Sequence, residues 1–125
     1  MSAGKSSKSL CILIADDHED SLAALSRLLE MNGYTVHTAR TAAEAKDLAA
    51  SSRCDLFIGD VGLPDQSGLD LMRELRERHG LVGIAVSGYA GKDDVADALA
   101  AGFEKHLAKP VTFSDLLAAI EELTG

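Results

Sequence analysis

The chain has 125 residues, 46% of them apolar, with 20 acidic against 12 basic side chains and a formal net charge of −8. That length and composition describe one globular domain with a core of its own and exclude a disordered chain. The charge disfavours a surface that collects nucleic acid phosphates, no apolar stretch approaches the roughly 20 residues of a membrane span, and the polar residues 1–9 carry no secretory pattern, so we expect a cytoplasmic protein that binds neither nucleic acid nor membrane directly.

Residues 1–9 are rich in serine and lysine and are expected to be a flexible tail or linker end, leaving 10–125 as the domain. Residues 10–15 form a continuous apolar run, as in a strand buried on both faces. Over 20–31 the period turns helical, with Leu22, Leu25 and Leu29 on one stripe, and Asn32-Gly33 stops it. Residues 34–38 are short and alternating. An alanine-rich helix is expected over 41–50, with Thr41 placed to cap it and Glu44 three residues on. Residues 56–59 are the next buried run. A helix follows over 67–79, with Leu69, Met72 and Leu75 facing inward and Gly80 after it. A strand over 82–86, a helix over 93–101 ending at Gly102, a strand over 103–108 and a helix over 114–123 complete the chain.

Five strands alternating with five helices imply an α/β fold, a parallel sheet covered on both faces. The first, third and fourth strands are nearly all apolar. The second and fifth carry Thr35, His37, Glu104 and Lys105, which suits half-solvated edges. The order that satisfies this is the doubly wound, flavodoxin-like 2-1-3-4-5.

In such sheets ligands bind beyond the carboxyl ends of the strands. The residues there are Asp16, Asp17 and His18 after the first strand, Asp60 at the end of the third, Ser87 after the fourth, and Lys109 and Pro110 after the fifth. Three neighbouring carboxylates repel, and one lysine does not neutralise them. A hard divalent cation does, and Mg²⁺ takes one or two carboxylates together with a phosphate. The cluster therefore implies a metal and phosphoryl chemistry, with an Asp carboxylate as nucleophile and Lys109 and Ser87 as stabilising donors.

The motifs ILIADDHED, LFIGDVGLPDQSGLDLMREL, IAVSGYA and FEKHLAKP, in this order and each at a strand end, resemble the receiver domain of two-component response regulators almost end to end. The resemblance implies a phosphorylation-dependent switch of a phosphorelay. Asp60 would accept a phosphoryl group from a phosphohistidine on a sensor histidine kinase or a histidine phosphotransfer domain. Asp16, Asp17, Asp60 and the backbone carbonyl of Gly62 would hold Mg²⁺ or Mn²⁺. Lys109 would contact the phosphoryl oxygens, Ser87 would move toward them, and the Lys109-Pro110 bond would be cis. His106 stands where many receivers have a Tyr or Phe that swings inward, a substitution that resembles the receivers fused to hybrid sensor histidine kinases. Gly62 offers no side chain to shield Asp60. Such a domain catalyses only its own phosphorylation and dephosphorylation.

Simpler readings stand beside these. Asp16 or Asp17 could cap the following helix, although that explains one acid and not three. Ser87-Gly88 is an ordinary turn by itself, Lys109 an ordinary surface lysine, and His106 a half-buried edge-strand residue. His18 is set aside as a transition-metal ligand because no second His or Cys lies at ligand spacing. His37 and His79 look like surface residues. Tyr89 could lean over the site, and the smooth Val95–Leu99 helix matches the place of the receiver signalling face. Cys11 and Cys54 are expected as buried free thiols. Three other functions compete. An aspartyl-phosphate phosphatase would want an acid at the position of Gly62. A flavin module would be repelled by the acidic first loop. A partner-binding pseudo-receiver would not need the full set of site residues.

Overall fold

The computed structural model describes residues 10–88 and 91–124. The expected tail and Tyr89 lie outside the described residues. Ten elements alternate: β1 (Cys11–Ala15), α1 (Glu19–Met31), β2 (Thr35–Ala39), α2 (Ala42–Ser51), β3 (Leu56–Asp60), α3 (Gly68–His79), β4 (Val82–Ser87), α4 (Lys92–Ala101), β5 (Phe103–Ala108) and α5 (Phe113–Thr124). All strand pairs are parallel, and the order is β2-β1-β3-β4-β5, as the edge-strand argument required.

The period of two along β1 divides the core between the two faces of the sheet. Leu13 and Ala15 pack with Phe57, Leu71, Met72, Leu75 and Phe103 on one face. Ile12 and Ile14 pack with Leu22, Leu29, Ile58, Ile84 and Ile120 on the other. Phe57 and Phe103 stack with ring centroids 6.0 Å apart. Burying each such side chain contributes about 1.5–3 kcal/mol, so the central strands are held from both sides and their carboxyl ends form a rigid rim.

Local signals explain most of the boundaries. Thr41 Oγ1 accepts the Glu44 N–H at 3.1 Å, and Glu44 Oε1 accepts the Arg40 N–H at 2.8 Å. Ser67 caps α3 by accepting the Leu69 N–H at 3.1 Å. Gly80 (φ 66°) and Gly102 (φ 113°) end α3 and α4 in the left-handed region, where a Cβ is strained.

Several boundaries differ by one residue from the periodicity. Tyr34 is still in the turn, its N–H bonded to the Leu29 carbonyl, so β2 starts at Thr35. Asp94 Oδ2 accepts the Gly91 N–H, and α4 therefore begins at Lys92. Thr112 Oγ1 accepts the Asp115 N–H and brings the start of α5 to Phe113. Leu71 is fully buried although the helical stripe did not single it out, and Leu69 is only half-buried.

Candidate functional site

Asp60 and Ser87 are the last residues of their strands, in register with Val86 and Ala108 respectively. The sheet ladder therefore fixes the backbones from which both side chains project. Lys109 follows directly: its N–H bonds the Ser87 carbonyl at 2.8 Å, and the Lys109-Pro110 peptide is cis. On the other side the Asp16 N–H bonds the Ala39 carbonyl at 3.1 Å, which ties the end of β1 to the end of β2.

These anchors bring one basic and three acidic side chains together. Lys109 Nζ lies 2.8 Å from Asp60 Oδ2 and 3.7 Å from Asp16 Oδ2. The other Asp60 oxygen accepts the Gly62 N–H at 2.9 Å. Asp60 and Asp16 are largely sunk into the rim, with 12% and 16% of their side chains exposed. Burial pulls the Lys109 pKa down, but the Asp60 hydrogen bond and the charges of Asp60, Asp16 and Asp17 outweigh it and hold the group above the ordinary lysine value. Lys109 is therefore cationic throughout the neutral range.

Neither Asp16 nor Asp17 stands at the helix cap. His18 is the N-cap of α1 and makes no side-chain cap bond. Asp16 Oδ1 instead accepts the His18 N–H at 2.9 Å and sits 3.0 Å from His18 Nδ1, with Asp17 Oδ1 at 3.1 Å. Those two acids raise the His18 pKa, the Asp16 hydrogen bond contributing most. The His18 ring stands beside the acids at this strand end: ligand atoms of Asp16, Asp17, His18 and Asp60 all lie within 4.8 Å of one another. The three groups beside the imidazole are carboxylates, with no second His or Cys among them.

The donor set fits a hard divalent cation. Three carboxylates facing one ammonium leave excess negative charge at short range, and oxygen donors are what Mg²⁺ and Mn²⁺ prefer. Gly62 leaves space beside the acceptor: a Cβ there would stand 3.9 Å from Asp60 Oδ1, in contact with it.

Ser87 is buried, at 2% exposure, and His106 is half-buried. Both line one small cavity of about 50 Å³ together with Val61, Leu69, Asp94 and Asp97. His79 is exposed and His37 half-buried, both away from the cluster. Cys11 is buried and Cys54 half-buried, both free, with their sulfurs 3.6 Å apart at the opposite end of the sheet.

Two residues escaped the sequence reading. Asp65 reaches from the β3–α3 loop to the first amides of α2, accepting the Ala42 N–H at 2.8 Å and the Ala43 N–H at 3.0 Å. Next to it, Gln66 Nε2 donates to Glu74 Oε2 at 2.6 Å, an oxygen that also faces Lys46 Nζ at 3.2 Å.

Comparison with known proteins agrees with this fold. The sequence model of the response regulator receiver domain matches residues 12–121. The response regulator MprA of Mycobacterium bovis is 36% identical over 118 residues, covering 92% of this chain and 50% of its own length. The transcriptional regulatory protein PrrA of Mycobacterium tuberculosis is 34% identical over 113 residues, covering 90% of this chain and 48% of its own. The chain thus spans about half the length of the curated relatives it matches. Among solved structures, a CheY-like receiver domain protein from Methanospirillum hungatei superposes with a TM-score of 0.86 at 34% identity, over 92% of this chain and 93% of that one. A response regulator protein from Burkholderia pseudomallei, described with a phosphorylated aspartic acid, a calcium ion and citrate, gives 0.84 at 30% identity, over 92% and 71%.

Proposed function

The chain belongs to the response regulator receiver domain family, and from that premise we propose that Asp60 accepts a phosphoryl group in a self-catalysed, metal-assisted transfer that switches the domain. The observation that carries the proposal is the 2.8 Å pair of Asp60 and Lys109, set among Asp16 and Asp17 at the carboxyl end of the sheet. The Burkholderia relative, with its phosphorylated aspartic acid and calcium ion, supports the same chemistry.

An Asp60 carboxylate oxygen attacks the phosphorus of a phosphohistidine. The new O–P bond forms as the P–N bond breaks, and the imidazole leaves, taking up a proton from solvent. Asp16, Asp17, Asp60 and the Gly62 carbonyl would hold Mg²⁺ or Mn²⁺, which would offset the carboxylate charge and stabilise the phosphoryl oxygens. Lys109, already cationic, turns from Asp60 to those oxygens. Ser87 donates its hydroxyl from the end of β4, and its shift reaches His106 through the cavity they share. Water attack on the acyl phosphate returns Asp60 and inorganic phosphate, and Gly62 leaves that path unshielded.

The donor is a sensor histidine kinase or a histidine phosphotransfer domain. A groove lined by Leu25, Leu28, Pro110 and Phe113, bordered by Asp16 and Lys109, offers an apolar approach beside the acceptor. Among the described residues no helix is long and apolar enough to cross a membrane. The reading places the chain in the cytoplasm, with no direct nucleic acid contact.

Phosphoramidate carries the same P–N bond and tests the transfer directly. After incubation with Mg²⁺, borohydride reduction should convert the acyl phosphate to homoserine at position 60, located by peptide mass. Trapping elsewhere, or none at any donor concentration, would overturn the assignment.

A further inference from the structure

We infer that Asp65 is a positioning residue for the metal pocket: it clamps the loop that carries Gly62 to the N-terminus of α2 and so sets the Gly62 carbonyl in place. The inference rests on the receiver reading and extends it to a residue outside the pocket.

The loop from Asp60 to Gly68 is closed at its base. The Gly68 N–H bonds the Val61 carbonyl at 2.8 Å, and Gly62 and Ser67 form a β-bridge. Leu63 is buried in the core on the α2–α3 face. What remains to be held is the tip, and Asp65 holds it. Both of its oxygens are used, one on the Ala42 N–H and one on the Ala43 N–H. A helix has no internal partner for its first amides, and its dipole favours an anion there. Thr41 Oγ1 covers the third amide, that of Glu44. The helix end is thus shared between a local cap, Thr41, and a carboxylate 23 residues away in sequence.

That division of labour makes Asp65 more than a cap. Thr41 belongs to the β2–α2 connection and touches no part of the site loop through this bond. Asp65 does, because only two residues separate it from Gly62. Gln66 adds a second hold, through Glu74 on α3 and Lys46 on α2. The Asp65 pKa is lowered by the two amide bonds, so the carboxylate stays ionised. Residues that orient a metal ligand without touching the metal affect affinity strongly.

The test compares Asp65→Ala, Asp65→Asn and Thr41→Ala in the full chain, by two readouts besides phosphorylation. Amide hydrogen exchange at Gly62 and Gly68, without metal, reports loop order. Mn²⁺ titration followed by electron paramagnetic resonance reports the pocket. Asp65→Ala should speed exchange at both glycines and weaken Mn²⁺ binding about tenfold. Asp65→Asn, which keeps one acceptor oxygen, should recover part of both. Thr41→Ala, which weakens the same helix end, should lower the melting temperature but leave both readouts as in wild type. Wild-type exchange and affinity in Asp65→Ala would overturn the inference, as would equal shifts in Thr41→Ala. Failure of the wild-type chain to bind Mn²⁺ would strike the receiver reading instead, and is told apart because the exchange comparison needs no metal.

Discussion

Lys109 Nζ meets Asp60 Oδ2 at 2.8 Å across 49 residues of sequence, and the same ammonium stands 3.7 Å from Asp16 Oδ2. Among the described residues it is the lysine that faces the acidic cluster, and it is already charged, so its effect falls on the transferring group. Lys109→Ala should keep the acceptor and the metal ligands but lose a preorganised donor. We expect phosphorylation by acetyl phosphate to slow by about 10²-fold, with divalent cation binding unchanged or tighter, measured by time-resolved intact mass and by titration calorimetry.

The pocket without a cation should be strained by its own charge. Asp17 is the most exposed of the three acids, at 40% of its side chain, and it makes a close ionic contact with His18. Asp17→Asn should melt no lower than wild type in chelator, because it relieves repulsion. With Mg²⁺ at a hundred times its dissociation constant, the wild type should gain about 2.7 kcal/mol and the variant much less. Denaturant titrations with and without Mg²⁺ check this; equal gains in both proteins would remove Asp17 from the ligand set.

How much of this was legible beforehand differs from residue to residue. Asp16, Asp60, Ser87 and Lys109 could be placed together because apolar runs locate strands and a parallel sheet gathers its strand ends at one rim. The edge positions of β2 and β5 followed from Thr35, His37, Glu104 and Lys105 in the same way. Asp65 could not be found so, because its partners Ala42 and Ala43 offer only backbone amides, which carry no signature in the sequence. His18 was placed at the same rim by following Asp16 and Asp17 directly, but the distance of its ring from Asp60 depends on the fold and not on chain spacing. Where a turn bond or a side-chain cap decided a boundary, as at Tyr34 and Gly91, periodicity alone was one residue off.

The close approach of α3 to the acceptor strand offers a packing test. A Cβ on Gly68 would lie 2.3 Å from the Asp60 carbonyl oxygen and 2.8 Å from the Val61 Cα. These are backbone atoms, which do not move aside cheaply. Gly68→Ala should cost about 1–3 kcal/mol and displace Asp60 enough to slow phosphorylation. Gly88→Ala, where a Cβ would meet nothing within 4 Å, should stay within about 0.5 kcal/mol. Urea unfolding of both separates the two cases.

The thiols at the far end of the sheet give a pH prediction. Burial first, and then the hydrogen bond and charge of Cys11, push the Cys54 thiol from an ordinary 9.0 up to about 12. The native state therefore keeps a proton that the unfolded chain releases near its ordinary value. This contribution to stability should be complete below about pH 9 and be lost as pH rises toward 12. Iodoacetamide at pH 8 should label Cys54 at least about tenfold more slowly in the folded chain than in denaturant, since the thiolate is the reactive form. Equal rates would contradict the burial.

The measurement that bears most directly on the central claim is the intact mass of the chain after acetyl phosphate treatment. It should be taken with Mg²⁺ and with excess chelator, for wild type and Asp60→Asn. The account predicts one phosphoryl adduct on the wild type, dependent on Mg²⁺, and none on Asp60→Asn. An adduct of equal yield on Asp60→Asn, or one indifferent to the chelator, would contradict it.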